Sequence, residues 1–266
     1  MTEGVVKKLN GYSGCQVLLM QDGKNFFVRK ISKEPEYNKR LESQINKQIL
    51  FNHPYIKTPT IIDIGFKDGL FYSDMDYVSG TSLNQYIQNN HPDSSIKIIH
   101  QILSSKTEHT TRVDYSKFYA KINQLINEAN TKLHYQTYLL KAKQLKINSH
   151  GYCHGDLSLE NIIIKNNEIY LIDFLDSFLD SQIVDISKIL MDLIYGWSWR
   201  QNSNTPFVKN KIILNELKKT YTKENLNLIQ YFIGLHLFRI KPYVKTQKDK
   251  NLIDQSIDHC INYLKL

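Results

Sequence analysis

Near residue 80 the hydrophobic pattern changes period, and this change limits the possible folds more than any other feature of the chain. Before it, short β-prone runs alternate with turn dipeptides; after it, apolar residues recur at helical spacing. The runs 4–9 and 15–21 read as strands separated by the small-residue loop Asn10-Gly11-Tyr12-Ser13-Gly14. Asp22-Gly23 signals a hairpin into a third strand, 25–31. Between Pro35 and Asn52, Leu41, Ile45, Ile49 and Leu50 have helical spacing, and Pro54 and Pro59 stop the run. Two further strands, 60–66 and 70–76, join through Lys67-Asp68-Gly69. The order βββαββ predicts an α+β chain whose first part is a small β-rich unit with one helix.

The remainder reads as helical. Helices are expected over 82–90 and 94–104, then a long one in which Ile122, Leu125, Ile126, Ala129 and Leu133 form one apolar stripe. Asn148-Ser149-His150-Gly151 breaks the run, and a hairpin follows with strands 161–165 and 168–174 around Asn166-Asn167. Helices resume near Val184, with Asp185 as an expected N-cap, and the last spans about 249–264. The expected boundary lies at Ser79-Gly80-Thr81, with Gly80 as a hinge, giving a unit 1–80 and a larger helical unit 81–266.

Composition excludes several classes. At 266 residues with 41% hydrophobic and 23% charged residues, the chain can bury a real core and is not broadly disordered. No run approaches the roughly 20 apolar residues of a membrane span, and the N-terminal segment lacks the apolar stretch of a signal peptide, so membrane insertion is not expected and a cytoplasmic location is. Cys15, Cys153 and Cys260 are far apart, with no CxxC pair to suggest a zinc site or a disulfide framework. The net charge of +8 raises the question of an anionic partner. The lysines are scattered rather than clustered, so nucleic acid is not expected.

The segment richest in chemistry is His154-Gly155-Asp156-Leu157-Ser158-Leu159-Glu160-Asn161, followed by Ile172-Asp173-Phe174. Gly155 permits a tight turn before Asp156, Asn161 stands where a strand begins, and Asp173 is expected to end the partner strand. Two carboxylates and an amide converging at one rim suit phosphoryl transfer: one carboxylate orients the attacking hydroxyl, while hard oxygen ligands hold Mg²⁺ on the phosphates. Singly, each residue is as readily a turn or capping residue.

Together, the H-G-D-x-x-x-x-N and I-D-F elements resemble those of the aminoglycoside phosphotransferase and choline kinase group, small-molecule kinases of the protein-kinase superfamily. The resemblance implies a bilobal protein-kinase-like fold: a small N-lobe with a five-stranded antiparallel sheet plus one helix, and a larger, mainly helical C-lobe. It also implies Asp156 as the catalytic carboxylate, Asn161 and Asp173 as Mg²⁺ ligands, ATP or GTP as phosphoryl donor, and His154 as a brace of the loop. Protein kinases carry His-Arg-Asp and often a lysine two residues after the aspartate; here Gly155 and Ser158 stand at those positions, which favours a small-molecule acceptor.

On the same resemblance, Phe27-Val28-Arg29-Lys30 occupies the place of the nucleotide lysine strand. Alternation puts Val28 and Lys30 on one face, where Val28 would cover an adenine and Lys30 reach the phosphates. For the helix partner of Lys30, Glu42 has the right chemistry and Gln44 lies closer to the expected position; Glu42 is preferred. Backbone amides near Ser13 and Gly14 would cradle phosphate oxygens, although the loop lacks the full G-x-G-x-x-G pattern. Met75-Asp76-Tyr77-Val78 resembles the hinge, where main-chain groups of Asp76 and Val78 would read the adenine edge. Asp185 is expected to support the catalytic loop as well.

The acceptor is expected to bind to the helical half. Residues 201–266 carry 11 Lys plus Arg against 5 Asp plus Glu, and 91–148 carry 9 against 4. A polycationic aminoglycoside would call for carboxylates, so a neutral or anionic hydroxyl compound, such as a sugar or a sugar-phosphate intermediate of surface glycan synthesis, is the first expectation. An aminoglycoside or an amino-alcohol such as choline is the alternative, and a catalytically silent nucleotide-binding module is the alternative of another class. Trp197 to Arg200 either lines the acceptor site or plugs the helical core. Oligomeric state is not legible.

Overall fold

The computed structural model describes residues 4–9, 14–104, 115–128, 132–147, 151–201 and 204–265. The chain divides into two units: Met1–Ser82 with Asn161–Asp176, and Leu83–Glu160 with Ser177–Leu266. The first break falls beside the boundary read from the sequence. The hairpin at 161–176 groups with the first unit, across that boundary.

In the first unit, β1 (Gly4–Leu9), β2 (Cys15–Asp22) and β3 (Asn25–Ser32) form the expected meander, and α1 (Asn38–Leu50) follows a short 3-10 turn at Pro35–Tyr37. β4 (Ile56–Lys57) precedes β5 (Ile61–Lys67) and β6 (Leu70–Asp76). The five-stranded sheet has the order β1-β2-β3-β6-β5, antiparallel throughout. Its core is built where the sheet meets α1: Cys15, Leu41, Ile45, Phe71 and Met75 are buried, with Val17, Val28, Tyr37 and Ile61 packed around them.

A second sheet, β4-β9-β8-β7, gathers β7 (Thr81–Ser82), β8 (Ile162–Lys165) and β9 (Glu168–Leu171). Its two-residue members escape sequence reading because nothing local marks them. Gly80 has a steric requirement: a Cβ there would lie 2.6 Å from both the Ile164 carbonyl oxygen and the Ile163 Cγ2. Only glycine lets this backbone approach β8 so closely.

The second unit is helical: α2 (Leu83–Asn89), α3 (Pro92–Leu103), α4 (Tyr115–Glu128), α5 (Leu133–Ala142), α6 (Gln182–Tyr195), α7 (Phe207–Lys218), α8 (Lys223–Ile240) and α9 (Gln247–Tyr263). The single long helix expected around Ile122 to Leu133 is two helices. Lys132 is extended (φ −128°, ψ 112°), and Leu133 opens α5 at 79% exposure instead of continuing the stripe. Ile122 and Leu125 do face the core; Ala129 lies outside the described residues. Phe118, Phe178 and Phe232 stack with centroids 6.1–6.3 Å apart and tie α4, the segment before α6, and α8 together. Among the described residues, no helix is long and apolar enough to cross a membrane.

Candidate active site

In the first unit, Lys30 is 7% exposed on β3 and paired with Asp173, 143 residues away in the chain. Burial works against the charge on Lys30, but the Asp173 carboxylate, through charge and hydrogen bond, with smaller contributions from Cys15 and Tyr37, raises its pKa above the ordinary lysine value. β9 ends at Leu171, so Asp173 stands two residues beyond the strand, in the left-handed region at φ 63°. Aspartate tolerates that region better than most residues. The turn leaves its side chain half exposed.

Asn161 closes the 3-10 turn Leu159–Asn161, and its carbonyl accepts the Ile172 amide at 3.0 Å. The backbone thus joins the two candidate metal ligands at one end of the hairpin. An amide oxygen and a half-exposed carboxylate are the hard donors that suit Mg²⁺. Among the described residues, no group of three or more His, Cys, Asp or Glu is placed to hold a metal.

Several further residues expected at the nucleotide site fall in this unit. Val28 is half-buried against the sheet core. Gly14 packs so tightly under the Tyr37 ring that a Cβ would come within 2.4 Å of it, and its carbonyl accepts the Lys33 amide at 3.0 Å. Ser13 lies outside the described residues. Asp76 is exposed, its amide donating to the Thr60 carbonyl at 3.0 Å, and Val78 is half-buried.

The preference for Glu42 is corrected. The buried face of α1 carries Leu41, Gln44, Ile45 and Gln48, and Glu42 is on the exposed face. A buried ammonium cannot be met from the solvent side of a helix. Gln44 instead reaches the Tyr37 hydroxyl at 3.4 Å. The ion pair of Lys30 runs to Asp173.

In the second unit, the loop around Asp156 is gripped by α6. Gly155 takes φ 87°, and the Ser158 amide donates to the Asp156 carbonyl at 2.7 Å, closing a tight turn. Asp185 accepts the amides of His154 (2.6 Å) and Gly155 (2.9 Å), and Asp192 accepts that of Leu159 (2.8 Å). Between them, Lys188 Nζ lies 2.9 Å from Asp156 Oδ1. Residues 185, 188 and 192 recur three and four apart, so one stripe of α6 fixes the loop at successive points.

Asp185 is not the N-cap. Ser181 caps α6, accepting from the Ile183 amide, and Asp185 sits one turn in, where it is available to the loop. His154 is buried, and its Nδ1 accepts the Asp156 amide at 3.3 Å, which puts the ring proton on Nε2. Burial alone would raise the pKa of Asp156; the charge and hydrogen bond of Lys188, then the charge of Arg239, hold it below the ordinary carboxylate value. Burial raises Asp192, which also accepts from the Ser198 hydroxyl at 2.6 Å.

Lys188 and Asp192 are the residues that sequence reasoning missed. Their signal was available: α6 has buried residues around nearly its whole circumference, so its charged side chains must find partners inside the protein. Trp199 is 1% exposed and fills the helical core, whereas Trp197 is half-buried, with the Arg200 guanidinium 4.3 Å from its ring. Arg200 also lies 3.5 Å from Glu160.

Comparison with known proteins places this geometry. Similar structures include a thermostable mutant of aminoglycoside phosphotransferase APH(4)-Ia in its apo form, at 12% identity, TM-score 0.68, covering 98% of this chain and 95% of that one. A putative fructosamine-3-kinase from Haemophilus somnus 129PT matches at 13% identity, TM-score 0.63, covering 97% and 91%. Amicoumacin kinase hAmiN, in complex with AMP-PNP, Ca²⁺ and Ami, matches at 14% identity, TM-score 0.59, covering 97% and 88%. These likenesses establish the protein-kinase-like fold. No curated protein matches the sequence significantly. The model of the phosphotransferase enzyme family APH matches residues 6–223, and the chain belongs to that family of small-molecule kinases.

Proposed function

We propose that the chain transfers the γ-phosphoryl group of ATP or GTP, with Mg²⁺, to a hydroxyl of a neutral or anionic small molecule, such as a sugar or sugar-phosphate intermediate of surface glycan synthesis. The observation that carries the nucleotide half of this reading is the pairing of Lys30 with Asp173. The strand lysine and the aspartate of the I-D-F element were singled out by separate motifs, and the fold joins them. In the reaction Lys30 binds phosphate oxygens, Asn161 and Asp173 would hold Mg²⁺, and Asp156 orients the acceptor hydroxyl and takes its proton. Mg²⁺, when bound, neutralises charge on the phosphates. Gly14 and Val28 would border the nucleotide. Since the Asp76 amide is taken by Thr60, an adenine edge would use the Asp76 carbonyl and the groups of Val78.

The excess of lysine over carboxylate in 91–148 and 201–266 supports the acceptor's charge class. The rival reading, a cationic acceptor such as an aminoglycoside or choline, is favoured by relatives, one of them seen with hygromycin B. One experiment separates them. Mg²⁺-dependent ADP formation is measured with neutral sugars, sugar phosphates, choline and aminoglycosides. Turnover with sugars or sugar phosphates is expected; turnover only with the cationic compounds overturns the acceptor class. Equal rates for wild type and Asp156→Ala overturn catalysis and leave the silent nucleotide-binding module.

A further inference from the structure

We propose that Lys188 is a positioning residue of the transfer reaction, its ammonium holding the Asp156 carboxylate charged and fixed in direction, in place of the lysine that Ser158 lacks. The proposal rests on the reading of Asp156 as the carboxylate that receives the acceptor's proton. Its grounds are geometric. Lys188 is 5% exposed in the middle of α6, a position where an ammonium has no water to solvate it. It reaches Asp156 Oδ1 at 2.9 Å, while that side chain keeps 30% of its surface open. One partner is locked in the core and the other faces outward, so the pair directs the carboxylate from behind.

Ser158 is buried, and its hydroxyl carries no charge. Helix α6 therefore supplies from below the cation that protein kinases often supply from the loop itself. The same stripe fixes the loop backbone through Asp185 and Asp192. Other charged and titratable groups bear on the pair. Arg239 from α8 and His154 from the loop act on Asp156, and Asp192 on α6, Glu160 beside the loop and His236 on α8 are coupled to Lys188. Of the cations acting on Asp156, Lys188 contributes most.

In the step itself, the acceptor oxygen forms a bond to the γ-phosphorus while the bond from phosphorus to the β,γ-bridging oxygen breaks. The bond electrons leave with the nucleoside diphosphate, and the acceptor's proton passes to the Asp156 carboxylate. Lys188 takes no part in the bond changes. It keeps the carboxylate unprotonated and aimed before the step.

The test uses Mg²⁺-dependent ATP hydrolysis by the full chain, with water as acceptor, in wild type, Lys188→Met and Lys188→Arg, each checked for folding by circular dichroism. Should Lys188→Met fail to fold, Lys188→Gln replaces it. The neutral variant is expected to lose about 10²-fold in kcat, the lower end of what proton-transfer groups contribute, with the KM for ATP nearly unchanged. The acid limb of its rate profile and the ¹³C titration of the Asp156 carboxyl should both move to higher pH. Lys188→Arg should recover much of the rate and the wild-type titration. In an Asp156→Asn background, Lys188→Met should cost nothing further.

A folded neutral variant with wild-type kcat and an unmoved Asp156 titration overturns the proposal. So does an equal loss in the Asp156→Asn background. If Asp156→Ala itself hydrolyses ATP at the wild-type rate, the reading of Asp156 has failed, an outcome distinct from failure of Lys188 alone.

Discussion

Replacing Asp185 tests whether the catalytic loop is held by α6 or by its own turns. Both carboxylate oxygens are committed, one to the His154 amide at 2.6 Å and the other to the Gly155 amide at 2.9 Å, in a residue only 9% exposed. Hydrogen bonds to a charged group are worth about 1.5–3 kcal/mol each, so Asp185→Ala should cost about 3–6 kcal/mol. Asp185→Asn keeps one acceptor and turns an amino group against the other amide; losing one bond and creating that opposition should cost about 2–3 kcal/mol. Against a typical domain stability of about 5–15 kcal/mol, the alanine variant should be barely folded and the asparagine variant folded but weakened. Urea unfolding followed by near-ultraviolet circular dichroism gives both values. ATP turnover at a temperature where the asparagine variant is fully folded gives the functional effect, expected as a fall in kcat because Gly155, at φ 87°, is no longer held beside Asp156. If Asp185→Asn lies within about 0.5 kcal/mol of wild type, the range of ordinary surface substitutions, and turns over ATP normally, the loop does not depend on this grip.

Other perturbations have outcomes set by the same geometry. Lys30→Met should weaken nucleotide use by about 10²-fold or more in kcat/KM, the scale of losing one preorganised electrostatic contact, and a wild-type value would remove Lys30 from the phosphate site. Gly234→Ala on α8 places a Cβ 2.0 Å from the Tyr138 hydroxyl, which donates to the Tyr231 carbonyl at 2.6 Å. Alanine's helix preference of about 1 kcal/mol is smaller than about 1–3 kcal/mol of overpacking plus about 1 kcal/mol for the displaced hydrogen bond. Thermal unfolding should show a net loss, and an unchanged midpoint would refute the contact. Because the pKa of Asp156 is depressed in the folded state, the stability it contributes is full above the unfolded carboxylate value and is lost as pH falls through the lower folded value. Wild-type turnover should accordingly show no acid limb from this group between pH 7 and 5, and one appearing there and vanishing in Asp156→Asn would contradict the depressed pKa. Cys15, Cys153 and Cys260 are all buried, with the Cys260 thiol pushed up to about 11. A chromogenic disulfide reagent should find them unreactive in native protein and titrate all of them in denaturant.

What the sequence shows of this fold is what depends on near neighbours in the chain. Period-two runs between Asp22-Gly23 and Lys67-Asp68-Gly69 locate the strands of the large sheet to within a residue or so, because hairpin turns and alternation are local constraints. Strands β4 and β7 are set by partners more than 80 residues away, Ile56 facing Ile169 and Thr81 facing Ile164, and their own residues carry no pattern. The same division runs through the site. Asp156, Asn161 and Asp173 announce themselves by spacing, whereas the choice between Glu42 and Gln44 turns on which face of α1 is buried. Leu41 and Ile45 lie on that face and Gln44 shares it, whereas Ile49 and Leu50, read as part of the same stripe, are exposed. Lys188 and Asp192 carry no such mark, since a charge on a helix usually means a solvated face. Here the helix has no such face: Val184, Ile189, Leu190, Met191 and Leu193 are buried around it. A charged residue in a segment with nowhere polar to point has to be neutralised by something the segment packs against. On α6, that requirement directs Lys188 toward a carboxylate and Asp185 and Asp192 toward backbone amides, which are what the loop at 154–159 presents.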